Sequence, residues 1–255
     1  MYFDIFDAHA HYDDDAFDLD RDELLASMES KGVCGIINCG TTAENSKKSI
    51  ALADEYPFIY CACGIHPNDA DSIREGDFDI ISELLKHPKC VAVGEIGLDY
   101  HYDTIPRERQ IDIFERQLQI AVSLNLPVIV HDRDAHGDTL DLLKKYRPMG
   151  VVHCFSGSVE MAKEVLSLGM YIGLGGATTF KNAKKPLEVA LCVSSDRLLL
   201  ETDCPYMTPV PHRGKRNDSS FIPFSAEKIA EVRNCDTQTL ITQCKENTCR
   251  LFGIS

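Results

Sequence analysis

Residues 107–131 read RERQIDIFERQLQIAVSLNLPVIVH. Ile111, Phe114, Leu118 and Ala121 recur at helical spacing with charges on the other side. Pro106 stands before the first turn, where a missing N–H is no loss. The run Pro127-Val128-Ile129-Val130 that follows is short, apolar and β-branched, as a strand buried on both faces must be. It ends on a histidine, His131. The unit is a helix, a strand and a polar residue where the strand stops.

The unit recurs in both directions along the chain. Apolar runs fall at residues 3–7, 33–39, 58–63, 90–94, 127–130, 150–152, 170–174 and 197–200. Amphipathic segments lie between them, among them 21–31, 78–86, 107–124, 139–146, 159–168 and 225–233. There is no Pro/Gly/Ser-rich linker, low-complexity tract or solenoid-length repeat. One domain over residues 1–255 is expected, and eight alternating units predict a closed (β/α)8 TIM barrel rather than an open doubly wound sheet.

The polar residues sit where such a barrel builds its chemistry. His9 and His11 follow the first run, His66 the third, Glu95 the fourth, His131 the fifth, His153 the sixth and Asp203 the eighth. In a barrel these strand ends meet on one face. Side chains alternate along a strand, so His9 and His11 share a side, as do Glu201 and Asp203. Glu201 is read either as a carboxylate that orients a histidine or as an ordinary strand-end acid; Asp7, Asp99 and Tyr100 stand near the same face. His87 lies at the opposite end, and His101, His136 and His212 read as loop residues.

Composition narrows the rest. The eleven cysteines are scattered, several of them inside apolar runs, such as Cys34, Cys39, Cys61, Cys63 and Cys90. Buried free thiols of a reducing compartment account for them. Cys61-Ala62-Cys63 lacks the two-residue spacer of a zinc or redox pair. No leader and no apolar stretch near ~18 residues is present, so a cytoplasmic monomer without a membrane partner is expected. The net charge of −14 argues against a protein that grips long duplex DNA on a basic face.

Several motifs resemble the TatD-type branch of the metallo-dependent hydrolases. They are Asp7-Ala8-His9-Ala10-His11, Gly64-Ile65-His66-Pro67, Gly94-Glu95-Ile96-Gly97-Leu98-Asp99, Pro127-Val128-Ile129-Val130-His131, His153-Cys154-Phe155-Ser156-Gly157, Glu201-Thr202-Asp203-Cys204-Pro205-Tyr206 and Pro211-His212-Arg213-Gly214-Lys215-Arg216-Asn217. The resemblance implies a metal-dependent DNase, several family members acting from the 3′ end. It implies two divalent ions, Mg, Mn, Zn or Co, with His9 and His11 on one, His131 and His153 on the other, and Glu95 bridging. Asp203 would join the first ion and face the attacking water, making Asp203 and Glu95 the catalytic carboxylates. His66, Arg213 and Lys215 would contact phosphate, and DNA ends or short single strands would be the substrate. The alternative on the same site is an amide, lactone or phosphotriester hydrolase. A binding module without activity would leave this ligand set electrostatically costly.

Overall fold

The structure is a computed structural model and describes residues 1–102 and 104–254. Eight parallel strands follow one another around a sheet in chain order: β1 (Ile5–Ala10), β2 (Val33–Cys39), β3 (Ile59–Cys63), β4 (Cys90–Asp99), β5 (Val128–Arg133), β6 (Gly150–Val152), β7 (Tyr171–Leu174) and β8 (Leu198–Leu200). Beyond β8 the chain returns to β1. Ala10 bridges Cys204, His11 N–H donates to the Cys204 carbonyl at 2.8 Å, and Asp203 N–H donates to the His9 carbonyl at 3.0 Å. These bonds bring the ring close to closure and give the expected barrel.

Helices fill the connections: α1 (Arg21–Ala26), α2 (Ala43–Glu55), α3 (Asp77–Leu84), α4 (Arg107–Leu124), α5 (His136–Tyr146), α6 (Val159–Ser167), α7 (Lys184–Cys192), α8 (Ile222–Arg233) and α9 (Thr237–Phe252). The segment expected as one helix over 21–31 is broken: α1 stops at Ala26 and a 3-10 turn takes Glu29–Lys31 up to Gly32, whose φ of +87° no helix accommodates. His136, read as a loop residue, instead opens α5, its Nδ1 2.7 Å from Asp132 Oδ2. Among the described residues no helix is long and apolar enough to cross a membrane.

The apolar residues separate into two clusters. Phe6, Ala8, Ile37, Ala62, Ala92, Ile129, Val151, Tyr171 and Leu199 pack inside the barrel, and Phe252 of α9 joins them. The larger cluster fills the layer between strands and helices. Most of the cysteines are buried as expected, and all described ones are free thiols. Cys34 is the exception to the apolar-run argument, since it is exposed. Cys90 joins Cys61 and Cys63, their sulfur atoms lying within 4.8 Å of one another.

Strand ends differ from the sequence reading in a way that matters for chemistry. β1, β4 and β5 run further than the apolar runs, so His9, Glu95 and His131 belong to strands and do not follow them. Parity aims the later residues inward: His131 is two past Ile129, His153 two past Val151, and Asp203 four past Leu199. On β1 and β4 it fails, because Phe6, Ala8 and Ala92 point inward while His9, His11 and Glu95 have the opposite parity. The register slips between Asp7 and Ala10, and again between Val93 and Ile96. Each slip turns the following side chains to the other face, so the two irregularities place these three ligand-type residues in the barrel mouth.

The pairing of β4 with β5 just beyond the second slip depends on Gly97. Its φ is +149°, and a Cβ there would lie 1.9 Å from the His131 carbonyl oxygen. A Gly97→Ala protein must separate β4 from β5 at the level of Glu95 and His131. Urea unfolding is expected to give a loss of several kcal/mol, well above the ~1 kcal/mol of an ordinary substitution. A loss below about 1 kcal/mol would show that the two strands can part without cost.

Candidate metal centre

Seven polar side chains from six strands converge on one cavity of about 510 Å³; six of them line it directly, and His9 lies beneath. Local structure aims each of them. His11 Nδ1 lies 2.8 Å from the Cys39 carbonyl, which places a proton on that nitrogen and makes Nε2, facing the cavity, the one that can give up its proton to a ligand. His66 caps the 3-10 turn Pro67–Ser72, its Nδ1 accepting from Asn68 N–H at 3.1 Å. Its Nε2 is thereby turned to Glu95, 3.4 Å from Oε1. Asp203 has a left-handed φ of +58°, held by the seam bond to His9. Asp7 lies beneath, fully buried, accepting from the Thr202 hydroxyl at 2.5 Å, the Ser219 hydroxyl at 2.6 Å and Thr202 N–H at 3.0 Å. It ties β1 to the segment after β8 and does not face the cavity.

Glu95 stands between two groups of donors. Its Oε2 lies 3.4 Å from His9 Nε2 and 3.3 Å from His11 Nε2. Those two nitrogens are 2.9 Å apart and lie 3.6 and 3.5 Å from Asp203 Oδ1. The other oxygen, Oε1, lies 2.7 Å from His153 Nε2 and 2.8 Å from His131 Nδ1. Ligands about 2.0–2.1 Å from a tetrahedral ion stand roughly 3.4 Å apart. The spacing around Oε2 of Glu95 fits a cation, whereas the 2.7 and 2.8 Å contacts of Oε1 are direct hydrogen-bond distances that would open to admit one. The donor set fits as well, since imidazole and carboxylate together suit Zn, Mn or Co. His9, His11 and Asp203 could hold one ion, as could His66, Glu95 and His131 or His9, Glu95 and His153, the ligand atoms of each group lying within 4.8 Å of one another.

Electrostatics point the same way. Burial alone would push the Glu95 carboxyl up, but the facing histidines, His153 foremost, hold it well below the usual range. Asp203 is likewise lowered against its burial, by the hydrogen bond from His11 and the charges of His9 and His153. His9 is pushed down to about 4 by burial and by His153. Burial also works against charge on His131, yet its hydrogen bonds with Asp99 and Glu95 raise it to about 9. His11 is raised in the same manner by Asp203 and Glu95.

Among the described residues, two buried side-chain atoms lack a partner, His153 Nδ1 and Glu201 Oε2. His153 Nδ1 stands 3.9 Å from Glu201 Oε1, which already accepts from Cys154 N–H. Burial pushes the Glu201 carboxyl up to about 8. Orphaned buried groups are uncommon and costly. A cation on His153 Nε2 would fix the proton on Nδ1 and give Glu201 a donor to approach.

The remaining sequence candidates divide. Asp99 lines the cavity, 3.2 Å from His131 Nε2; Tyr100 does not, and its hydroxyl donates to Asp138 at 2.6 Å. Arg213 and Lys215 lie outside the cavity wall, the Arg213 guanidinium donating to the Thr208 carbonyl at 3.1 Å and lying 4.0 Å over Phe180. Thr208 adjoins Met207, which does line it. Arg216 is engaged by Asp20 through two 2.7 Å bonds. The sequence reading passed over Arg133, the one Lys or Arg among the described lining residues. Its signal was parity, because it lies two past His131.

The TatD related DNase family matches residues 6–253. The chain belongs to that family. It is 42% identical to a metal-dependent hydrolase of Bacillus subtilis, YabD, over 98% of this chain and all of that protein. It is 34% identical to the 3′-5′ ssDNA/RNA exonuclease TatD of Escherichia fergusonii, over 98% of this chain and all of that one. The crystal structure of YJJV, a TatD homolog from Escherichia coli, superposes with a TM-score of 0.94 at 33% identity, each chain fully covered. The protein is therefore a TatD-family metal-dependent hydrolase on a TIM barrel.

Proposed function

We propose that the protein is a two-metal phosphodiesterase that removes nucleotides from the 3′ end of single-stranded or frayed DNA. The observation that carries this is the division of Glu95, one oxygen facing His9, His11 and Asp203 and the other facing His131 and His153. Two adjacent donor sets sharing one carboxylate suit an in-line displacement at phosphorus, in which attacking and leaving oxygens both carry charge. The exonuclease named among the 34% identical relatives supports the bond cleaved.

Each residue then has a part. Bound divalent ions would supply Lewis acidity, acidifying water and offsetting phosphate charge. His9, His11, Glu95, His131, His153 and Asp203 hold them. Asp203, partly open to the cavity, takes the proton of the attacking water. His66 and Arg133 reach the phosphate from the wall, with Arg213 and Lys215 on the approach. Glu201 orients His153 through Nδ1.

Stripping the protein of metal and restoring Mg, Mn, Zn or Co singly tests this reading. A 5′-labelled single strand should shorten from its 3′ end with at least one ion and remain intact without it. Hydrolysis of lactone, amide or phosphotriester substrates without any action on the strand would transfer the same site to the alternative chemistry.

Metal uptake should depend on pH with a definite sign. His131 is raised to about 9 in the metal-free protein and so carries a proton near neutrality, and His11 and His153 are raised above their ordinary values as well. Ligand nitrogens must be deprotonated, so binding expels protons. Affinity should rise between pH 6 and 9, with proton release measurable by calorimetry in buffers of different ionisation heat. Affinity that does not change over this window would show that these histidines are not ligands.

A further inference from the structure

The cavity mouth carries two exposed aromatic rings that the chemistry above does not use. Tyr102 is 57% exposed and Tyr206 55% exposed, and both line the cavity. Tyr102 lies in the segment after β4 and Tyr206 in the segment after β8. In a ring of eight strands running in chain order, β4 and β8 stand opposite each other. The tyrosines therefore flank the site from opposite rims, with the Glu95 donor sets between them.

Each ring is held at its hydroxyl end. The Tyr206 hydroxyl donates to Asp14 Oδ2 at 2.7 Å, and the ring lies edge-on to His11 at 6.5 Å. Arg133 donates to the Tyr102 hydroxyl at 3.3 Å, and its guanidinium lies 5.0 Å over the ring. A tyrosine tethered by its hydroxyl presents its ring with little rotamer freedom left to lose. Leaving two such rings in water, around a cavity of small-molecule size, is a feature of ligand sites.

Charge explains why rings would be wanted here. The chain carries −14 overall, and Asp13, Asp14 and Asp69 line the same cavity. Ionic grip on a polyanion is weak at such a wall. Stacking needs no charge, and every base has a face to offer, so it holds a strand without reading its sequence.

We propose that Tyr102 and Tyr206 are two base-stacking platforms, one for the nucleotide on each side of the scissile phosphodiester. The proposal rests on the nuclease reading for the phosphodiester between them, and the experiment separates the two. KM and kcat are measured on a 5′-labelled single strand with intact bases, and on strands with an abasic residue at the last or the penultimate position. Binding of the same strands is followed by anisotropy at low salt with chelator present.

Tyr102→Ala and Tyr206→Ala should each raise KM roughly tenfold on the intact strand, with little change in kcat. Tyr102→Phe and Tyr206→Phe should restore most of it, because the ring remains. For each tyrosine the alanine penalty should vanish when the abasic residue occupies one of the two positions, a different position for each. Equal penalties on intact and abasic strands, or wild-type KM in both alanine variants, would overturn the platforms while cleavage by the wild type keeps the nuclease reading. No cleavage with any ion, together with base-dependent binding lost in the alanine variants, would overturn the nuclease reading and keep the platforms. Neither cleavage nor base-dependent binding would overturn both.

Discussion

Replacing Glu95 with alanine is expected to empty both halves of the centre at once and to lower hydrolysis by at least about 10³-fold, the combined loss of charge stabilisation and of the groups that hold water in place. The argument is geometric. Oε2 lies within 3.4 Å of His9 and His11, Oε1 within 2.8 Å of His131 and His153, so no other described carboxylate serves both groups. Asp203 reaches only the first and Asp99 only His131. Elemental analysis of gently purified protein checks it, with His9→Ala for comparison. His9→Ala should reduce mainly one ion, Glu95→Ala both. The metal-free Glu95→Ala protein needs its own measurement of folding, because it removes the anion that faces several protonated imidazoles, and a buried charge stripped of its partner costs roughly 3–5 kcal/mol. Glu95→Gln keeps the shape and removes only the charge. If Glu95→Gln folds like the wild type and retains its full metal content, Glu95 does not bridge.

The sequence made the site more legible than the strands that carry it. Histidines after apolar runs are visible because chemistry at strand ends is written in residue type. What could not be read was how far β1 and β4 continue. The fourth apolar run stops at Gly94, yet pairing with β5 carries β4 on to Asp99. The parity argument holds where a strand is regular, and it would also have found Arg133. On β1 and β4 it gives the wrong face, because a register slip is a property of two paired strands and leaves no alternation pattern in either one. Arg213 and Lys215 stand out in the sequence as a basic segment, but Arg213 lies over Phe180 and bonds a backbone carbonyl, outside the cavity wall. Tyr206 closes the motif that begins at Glu201 but is given no role there, and Tyr102 lies in none of the motifs. Only the ring order puts β4 across from β8 and shows that these two residues share a cavity. Cys90 approaches Cys61 and Cys63 for a similar reason, since adjacent strands bring together residues that no local spacing relates.

Asp203→Asn should leave a folded protein that still binds substrate and loses the chemical step. Asparagine is the substitution that isolates the proton. It keeps the size of the side chain and an oxygen toward His9 and His11, which lie 3.6 and 3.5 Å from Oδ1. It also suits the backbone: Asp203 sits at φ +58°, a conformation that asparagine adopts more readily than most residues. The seam bond from its N–H to the His9 carbonyl, 3.0 Å, does not involve the side chain. A carboxamide cannot accept the proton that an attacking water must lose. Loss of a general base lowers kcat by about 10²–10⁴-fold, with KM changed little. Saturating metal is needed in the assay, because one negative charge has left the donor set. The pH profile distinguishes proton transfer from mere metal loss. The neighbouring histidines hold the Asp203 carboxyl below its usual range, so in the wild type it is ionised across the neutral region, and kcat should fall only as acid protonates it. The asparagine variant should lose that acid limb and keep a low, level rate. A kcat within about fivefold of wild type would move the proton to another group. Glu201, whose carboxyl burial raises to about 8, would then be the next to test, although it lies behind His153 and does not line the cavity.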